Sequence, residues 1–393
     1  MNILMLAPQP FFQPRGTPIS VYFRLKALSA MGHSVDLVTY HLGEDREFAH
    51  VRILRIPDLF RIKTIKIGPS WAKIPLDSMM LIKTVGRLFR GRYNLVFSHE
   101  EAAFFGAAMA GLWRIPHVYD MHSSLPQQLK NFEFTRSRLL MGMFRRLENY
   151  VLKRSAGIIV ICPDLLEQVQ KAGQGDKAVL LENVLDFEYS RRPPEEVRSM
   201  RSEYADDDEK IVLYAGNFQT YQGIPLLLEA AAQMKEDPVR FLLVGDTPEA
   251  VAGMREKAAG LGIGDRVAFT GQVPPDRVPE FVEMADALVS PRISGTNTPL
   301  KIYSFLKSGK PVVATDLWTH SQVLDPEIAF LVAPDAESLA AGLRQALFTP
   351  EGEARAARAG EMAAREYTFS RYSEKLSLVL RKATQGREEG ANG

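Results

Sequence analysis

The sequence predicts an α/β protein built from two doubly wound, parallel-sheet domains that face each other across a cleft. Short apolar segments alternate with helical segments along the chain, which is typical of βαβ units. The pattern restarts near residue 210, and 393 residues exceed what one hydrophobic core usually holds. Hydrophobic residues make up 46% and charged residues 24% of the chain, a balance that excludes disordered, collagen-like and coiled-coil proteins.

The first domain is predicted to span residues 1–187. A loop over 9–17 carries Gly16, and a helix is expected from Pro18 to Met31, because proline suits a first helical turn and Gly32 suits a C-cap. The apolar segments expected to form strands are 3–7, 35–39, 94–97, 117–119, 157–161 and 179–181.

The second domain is predicted over residues 210–365, after a linker at 188–209 where proline and dense charge replace the apolar pattern. Residues 366–393 are expected to form a C-terminal helix, able to return to the first domain, and a frayed tail. A helix is expected at 224–235, and strands are expected at 210–215, 240–244, 267–270, 287–290 and 311–315.

Charge and cysteine content exclude several classes of function. The net charge is +1, so no overall field draws the chain to nucleic acid, and none is predicted as a partner. The only cysteine is Cys162, and the sequence shows no Cys/His cluster and no clear Asp-x-Asp pair in a loop that follows a strand, so no metal site is predicted. Asp206 to Asp208 is expected to be a solvated charge run. An apolar stretch of about 20 residues and a leader-like N-terminus are both lacking, so a cytoplasmic location is predicted.

The most informative segment runs from 290 to 315 and has the order strand end, polar loop, helix, glycine, strand. Thr298 is expected to be the N-cap of this helix and Pro299 its first residue. The free amides near Leu300 and Lys301 would then form an anion site suited to a pyrophosphate, with Arg292 and Lys301 as flexible cations beside it. The alternative is that Thr298 and Pro299 only cap a structural helix.

This segment resembles the nucleotide-sugar-binding region of retaining glycosyltransferases of the GT-B fold, in particular family 4. The run SGKPVVAT at 308–315 is similar to the Gly-x-Pro-Val-Val stretch of that family. The other segments that carry the resemblance are Gly16, 31–35, 181–186, 214–218 and 222–223. It covers about residues 1–375 and implies two Rossmann-like domains, with the second binding the nucleotide sugar.

The chain departs from the family pattern at the donor site. Thr296 and Ser304 stand where the family usually carries two glutamates, and Asn217 and Gln222 stand where it carries an arginine and a lysine. Ser304 could hydrogen-bond a ribose hydroxyl, and Arg292 and Lys301 could replace the missing cations. The resemblance implies a donor site made of Gly16, Asn217, Gln222, Gly295, Thr296, Asn297, Thr298, Pro299, Leu300 and Ser304.

Polar residues after two strands of the first domain are candidates for sugar and acceptor contacts. The resemblance places His122 where the family holds a histidine close to the transferred sugar, and Asp120 could orient its ring. His99 and Glu101 could line the acceptor side, although a purely structural role for His99 is favoured. Gly16 permits a close backbone approach, but the chain lacks the Gly-x-Gly-x-x-Gly fingerprint, which argues against a dehydrogenase.

Two basic stretches of the first domain, 52–92 and 136–146, mix cations with apolar residues and could meet an anionic membrane surface at the inner face. The alternative is that the apolar residues are core. The first stretch sets Asp58 and Asp77 against Arg52, Arg55, Arg61, Lys63, Lys66, Lys73, Lys83, Arg87, Arg90 and Arg92, with Leu59, Phe60, Ile62, Ile65, Ile67 and Trp71 between them.

The resemblance implies an enzyme that moves a hexosyl group from a nucleotide-diphosphate sugar to a glycan, lipid-linked or small-molecule acceptor, with retention and without a metal or other cofactor. His122, Lys301 and Arg292 are its expected catalytic residues. Two alternatives stay open from the residues alone: a nucleotide-sugar epimerase or hydrolase of the same fold, and a non-catalytic nucleotide-sugar-binding homologue.

Overall fold

The computed structural model describes residues 1–13, 16–65, 70, 72–124, 126, 137–183 and 192–391. Within these residues the chain divides into two compact units, one formed by Met1–Asn183 with Phe369–Gly393 and the other by Val184–Thr368. The part of the 181–186 motif after Asn183 falls outside the described residues, as do the stretch members Lys66, Ile67, Trp71 and Arg136.

The first unit is a parallel sheet in the strand order β3-β2-β1-β4-β5-β6-β7, packed between helices. Its strands are β1 Asn2–Ala7, β2 Ser34–Thr39, β3 Val51–Arg55, β4 Leu95–His99, β5 His117–Met121, β6 Gly157–Val160 and β7 Ala178–Leu180. Helices α1 to α5 are Gly16–Ala30, Lys73–Arg90, Ala102–Leu112, Arg138–Arg154 and Pro163–Lys171. Strand β1 is buried from Ile3 to Ala7, which explains its continuous apolar sequence.

The second unit repeats this plan with the strand order β10-β9-β8-β11-β12-β13, again with parallel neighbours. Its strands are β8 Lys210–Ala215, β9 Val239–Val244, β10 Val267–Gly271, β11 Ala287–Ser290, β12 Val312–Thr315 and β13 Phe330–Val332. Helices α6 to α13 are Pro194–Arg201, Ile224–Gln233, Pro248–Gly260, Val278–Met284, Leu300–Lys307, Trp318–Ser321, Ala336–Phe348 and Pro350–Glu366. The predicted α/β class with two Rossmann-like domains is confirmed.

Helix α14, Phe369–Ala391, belongs to the first unit although it follows the second in sequence. Its Val379 side chain lies against Gly157 of β6, where a Cβ would approach Val379 Cγ1 to 3.0 Å, and Lys375 pairs with Glu182 at 2.7 Å. The C-terminal segment therefore does return to the first domain. The helix continues to Ala391, over most of the residues for which a frayed tail is predicted.

Two strands lie where none is expected, and both are at sheet edges. Strand β3 carries Arg52 and Arg55 in a five-residue run, and β13 has only three residues. Edge strands tolerate charge and short length because one side is not enclosed by the sheet. The predicted linker also contains helix α6, which packs on α9 within the second unit. Among the described residues no helix is both long and apolar enough to cross a membrane.

The strand orders reverse direction between β1 and β4 in the first sheet and between β8 and β11 in the second. In doubly wound sheets, ligands bind beyond the carboxyl ends of the strands at such a reversal. The loops that follow β8 and β11 are therefore the candidate ligand site of the second unit, and those that follow β1 and β4 are that of the first.

Candidate functional site

The loop between β11 and α10 is held in one conformation by side chains of α11 and the residue that follows it. The Arg292 guanidinium donates from Nη1 to the Asn297 carbonyl and to the Thr319 hydroxyl, both at 3.0 Å. The Gln322 amide donates to the Thr296 carbonyl at 2.7 Å. These bonds fix the loop before any ligand arrives, so the site needs little reorganisation to bind one.

Lys301 lies on the first turn of α10, and its ammonium is buried. The Nζ atom lies 3.7 Å from the centre of the Tyr214 ring and has no hydrogen-bond partner. Burial and the nearby Arg292 charge lower the pKa of Lys301 well below its usual value. The expected flexible cation is therefore wrong, because this charge is fixed inside the unit. A buried ammonium without a counterion is costly, so the site is suited to an anion.

Arg292 supplies a second buried cation next to Lys301. Its Nε atom lies 3.4 Å from Gln222 Oε1, and its guanidinium lies 5.3 Å from the centre of the Tyr221 ring. Gly295 lies alongside, since a Cβ there would come within 3.4 Å of Nη1. Burial lowers the pKa of Arg292 from its ordinary value. In the described part of the chain neither cation forms an ion pair, so their charge is available to a ligand.

The loop after β8 is joined closely to the loop after β11. Gly223 has φ +73°, and a Cβ at this position would lie 1.9 Å from the Pro291 carbonyl oxygen. The amide of Ile293 donates to the Tyr221 carbonyl at 3.1 Å. Gly216 approaches the cation in the same way, since its Cβ would lie 3.1 Å from Lys301 Nζ. The two loops at the strand reversal thus form one site within the second unit.

The two residues that replace the family's cations lie differently. Gln222, in the loop after β8, is buried against Arg292 of the loop after β11. The Arg292 guanidinium therefore lies next to the position where the family carries a lysine. Asn217 instead accepts a bond from the Tyr214 hydroxyl on its carbonyl and one from the Gln219 amide on its side chain. The structure therefore brings Gln222, and not the Asn217 side chain, to the buried cations.

The beginning of α10 differs from the expected cap. The helix starts at Leu300 with Pro299 in the N-cap position, so the predicted Thr298 cap is wrong. The Thr298 hydroxyl is buried and, like the Lys301 ammonium, has no hydrogen-bond partner among the described residues. The Ser304 hydroxyl donates to the Lys301 carbonyl at 2.8 Å, within its own helix.

In the first unit, three side chains at the ends of β4 and β5 meet. His122 Nε2 lies 3.3 Å from both Asp120 Oδ1 and His99 Nδ1, and His99 Nδ1 lies 3.4 Å from Asp120 Oδ2. The expected lack of a His cluster is therefore wrong. Strand β5 extends to Met121, which places Asp120 inside the sheet beside His122, as its predicted orienting role requires. His99 is fully buried, which fits the structural role favoured for it over direct acceptor contact.

Arg24 of α1 and Tyr372 of α14 complete this cluster. Arg24 Nε donates to Asp120 Oδ2 at 2.7 Å, and Arg24 Nη1 donates to the Tyr372 hydroxyl. Burial alone would raise the pKa of Asp120, but the Arg24 charge lowers it well below the ordinary value. Burial lowers the pKa of His99 to about 3, so this ring is neutral. Because Arg24 already neutralises Asp120, the cluster is poorly suited to a metal ion although its ligand atoms lie within 4.8 Å of one another.

The remaining candidates of the first unit lie around the beginning of α1 and the end of β4. Gly16 is the first residue of α1, and the next residue, Thr17, donates to Glu100 at 3.1 Å. Glu101 accepts from Lys73 Nζ at 2.7 Å. Burial and the neighbouring Glu101 raise the pKa of Glu100.

Sequence reasoning missed Arg24, Tyr214, Thr319 and Tyr372. A signal existed for Arg24, because helical spacing places it on the same face as Ser20 and Leu28 and so buries a charge that needs a counterion. For the other three no signal existed, because each acts from an element distant in sequence. A surface cavity of about 320 Å³ also exists in the second unit, but residues near the amino ends of β9 and β10 line it, including Arg240 and Arg266, and none of the candidates does.

The two basic stretches contain many cations that are already paired. Arg52 and Arg87 both bind Asp36, and Arg55 binds Asp45. Several apolar side chains of these stretches are nevertheless exposed. On α2 and the segment before it these are Leu59, Phe60, Ile74, Ile82 and Phe89, and on α4 they are Leu139, Leu140 and Met143.

Two family models match the chain. One described as Glycosyltransferase Family 4 matches residues 14–189, and one described as Glycosyl transferases group 1 matches residues 209–348. Phosphatidyl-myo-inositol mannosyltransferase of Mycobacterium leprae is 27% identical over 98% of both chains. Alpha-D-kanosaminyltransferase of Streptomyces kanamyceticus is 23% identical over 80% of this chain and 83% of its own.

Solved structures share the fold. Sucrose-phosphate synthase from Thermosynechococcus elongatus superposes with a TM-score of 0.78 at 20% identity, over 97% of this chain and 98% of its own. Anabaena Alr3699/HepE in complex with UDP-glucose superposes with a TM-score of 0.77 at 18% identity, over 97% of this chain and 99% of its own. At these identities the likeness concerns the architecture alone.

Proposed function

Because the chain belongs to the GT-B glycosyltransferases of group 1 and family 4, we propose that it moves a hexosyl group from a nucleotide-diphosphate sugar to an acceptor hydroxyl with retention of configuration. The acceptor class is a glycan, a lipid-linked sugar or a small molecule. One observation carries the proposal: the buried ammonium of Lys301 has no hydrogen-bond partner among the described residues, lies beside a second buried cation, and is located where the strand order reverses.

Lys301 and Arg292 receive the diphosphate. In the transfer, the bond between the anomeric carbon and the diphosphate oxygen breaks and its electron pair stays with the diphosphate. Two cations and the first amides of α10 stabilise that charge in a dry site, where they act more strongly than in water. This charge supply makes a metal ion unnecessary. The role that relatives give to an arginine and a lysine of the β8 loop then falls to Arg292 and Lys301.

Ribose binding is the part of the family's donor site that this chain retains least, because Thr296 and Ser304 replace the usual glutamates. The buried Thr298 hydroxyl and the Ser304 hydroxyl are the polar groups available near α10. A hydroxyl binds a ribose hydroxyl less strongly than a carboxylate does. Donor affinity therefore depends more on the diphosphate than on the ribose.

The first unit handles the sugar and the acceptor. His122 contacts the transferred sugar, Gly16 belongs to the donor site, and Glu101 contributes to the acceptor side. The acceptor oxygen bonds to the anomeric carbon on the face that the diphosphate leaves, and its proton passes to solvent or to the leaving group. The names of two relatives, phosphatidyl-myo-inositol mannosyltransferase and alpha-monoglucosyldiacylglycerol synthase, refer to lipids, and a lipid-linked acceptor would suit a surface that touches membrane.

Peripheral membrane contact is part of this proposal. Helices α2 and α4 carry exposed apolar side chains together with exposed cations such as Arg90 and Arg145, a combination that favours an anionic bilayer surface. A cytoplasmic location at the inner face stays a prediction.

A panel of UDP, GDP and ADP sugars tests the function. Thermal shift identifies the donor, since a ligand that binds only the folded state raises Tm. Product analysis with and without acceptors then separates a transferase from an epimerase or hydrolase, which would convert the donor alone. Lys301→Ala should lower turnover at least about tenfold, and His122→Ala should reduce transfer more than donor binding. Donor binding that never leads to turnover with any acceptor would instead indicate a non-catalytic homologue.

A further inference from the structure

The carboxylate of Asp120 is the central group of the His99–His122 cluster. It is fully buried in β5. The side chains around it are His99 of β4, His122 just after β5, Arg24 of α1 and Tyr372 of α14. Arg24 binds both of its oxygens, Nε to Oδ2 at 2.7 Å and Nη2 to Oδ1 at 3.3 Å. The carboxylate therefore has a fixed orientation relative to the two imidazoles.

The positions of the ring protons follow from this geometry. Asp120 is ionised and can only accept hydrogen bonds. His99 Nε2 is buried without a partner, so the single proton of this neutral ring lies on Nδ1, which faces Asp120 Oδ2. His122 Nε2 lies 3.3 Å from His99 Nδ1, whose proton is directed to Asp120 Oδ2, and 3.3 Å from Asp120 Oδ1, where a lone pair on nitrogen would face the lone pairs of a carboxylate. A proton on Nε2 removes that repulsion.

We propose that Asp120 is a positioning residue: locked by Arg24 and Tyr372, it accepts the Nε2 proton of His122 and so holds that ring as the tautomer whose Nδ1 is an acceptor. The consequence for transfer rests on the proposed function of His122, whereas the tautomer itself does not. An Nδ1 acceptor binds a hydroxyl hydrogen of the sugar or of the acceptor in a fixed direction.

The contacts that hold Asp120 in place include a residue of α14, a helix that follows the second unit in sequence. The Tyr372 hydroxyl accepts from Arg24 Nη1, and its ring lies 5.1 Å from the guanidinium carbon. Among the described residues, the charged or titratable groups that interact with His122 or Asp120 include Arg24, His99, Tyr119 and Tyr372, with Glu100 of the β4–α3 loop also close enough to interact with His122. Only Asp120 among them accepts from the Nε2 side of His122.

Asp120→Asn tests the kinetic part, because it keeps the shape and removes the charge. We expect kcat to fall about 10²-fold, the usual scale for a misplaced acid–base group, while KM for the donor and the affinity for free nucleoside diphosphate stay within about twofold. Tyr372→Phe acts on the same carboxylate through Arg24 and is the milder variant if Asp120→Asn fails to fold.

A double variant separates positioning from charge balance. Asp120→Asn alone leaves Arg24 buried without a counterion, whereas Asp120→Asn combined with Arg24→Met removes both charges. If Asp120 positions His122, the double variant regains the wild-type Tm and stays slow. If the double variant regains wild-type kcat as well, Asp120 serves only as the counterion of Arg24, and the proposal is overturned.

Nitrogen-15 spectra of the imidazoles provide a readout that does not need turnover. His122→Gln assigns the signals of His122, and wild type should show its Nε2–H tautomer when neutral. Asp120→Asn should increase the Nδ1–H form. A wild-type ring in the Nδ1–H form, or an unchanged tautomer in Asp120→Asn, overturns the proposal. If no donor is turned over, the proposed function fails while this measurement still decides the tautomer.

Discussion

At the scale of single residues, Lys301 shows how a binding group can cost stability in the free protein. Its ammonium is buried over the Tyr214 ring, and its pKa is lowered well below the ordinary value. The unfolded chain therefore binds a proton that the folded chain resists binding. By linkage, this residue's penalty is greatest at low pH and disappears as pH rises to the pKa of a lysine in the unfolded state, about 10.4.

Lys301→Met should consequently stabilise the free protein and weaken ligand binding. We expect Tm to rise between about pH 6 and about pH 9, with a gain that shrinks as pH increases, because the variant removes a buried charge and keeps the stem of the side chain. Affinity for the nucleoside diphosphate of the identified donor should fall at least about tenfold. Differential scanning calorimetry over pH and titration calorimetry measure the two effects.

The matched control is Lys307→Met, on the exposed end of the same helix. It should change neither the affinity nor the pH dependence of Tm. A loss of Tm in Lys301→Met, combined with unchanged affinity, would mean that Lys301 supports the fold and has no part in anion binding.

At the scale of elements, sequence patterns predicted the strands and helices that have continuous apolar runs or clear boundary residues. They missed the features that depend on contacts between residues distant in sequence. The buried strands β1 and β8 were predictable because their apolar runs are unbroken, and the helix after β11 because glycine and proline bound it. Strand β3 was not predictable, because its two arginines interrupt the apolar pattern. Pairing of Arg52 with Asp36 neutralises one of these charges in the folded edge strand. The sequence could indicate Arg292 and Lys301 as cations, but burial over Tyr221 and Tyr214 depends on contacts between two loops.

Helix α4 carries the membrane prediction at this scale. Leu139 is 84% exposed and Met143 is 45% exposed, and they lie four residues apart on one face, with Arg145 and Arg146 exposed nearby. Leu139→Glu combined with Met143→Glu should reduce binding to vesicles rich in phosphatidylglycerol at least about tenfold, since it replaces apolar contacts with negative charge. Cosedimentation measures the bound fraction.

Vesicles of phosphatidylcholine should bind the wild type more weakly, and added salt should release it from the anionic ones. Leu378→Glu, at an exposed apolar position of α14, is the control and should bind as the wild type does. Equal binding of all three proteins would remove α4 from the membrane-contacting surface.

At the scale of the whole molecule, the chain is not simply two domains in sequence, because α14 completes the first unit after the second has ended. The buried side chains that α14 adds are Tyr372, Leu376, Val379, Leu380 and Ala383. Each large apolar side chain contributes about 1.5–3 kcal/mol when fully buried, so their sum is comparable with the total stability of a typical domain, about 5–15 kcal/mol. The first unit should therefore depend on the last helix of the chain.

A chain that ends at Thr368 should accordingly lose the first unit and keep the second. We expect the thermal transition of the first unit to disappear. The His122 tautomer signal should be lost as well, because Arg24 no longer meets Tyr372. Binding of nucleoside diphosphate by Arg292 and Lys301 should persist within about threefold. A chain that ends at Gln385 keeps every buried residue of α14 named above and should match the full chain in both respects. Loss of nucleotide binding in the shorter chain would show that the second unit needs the first to form its anion site, whereas an unchanged first transition would show that α14 is dispensable.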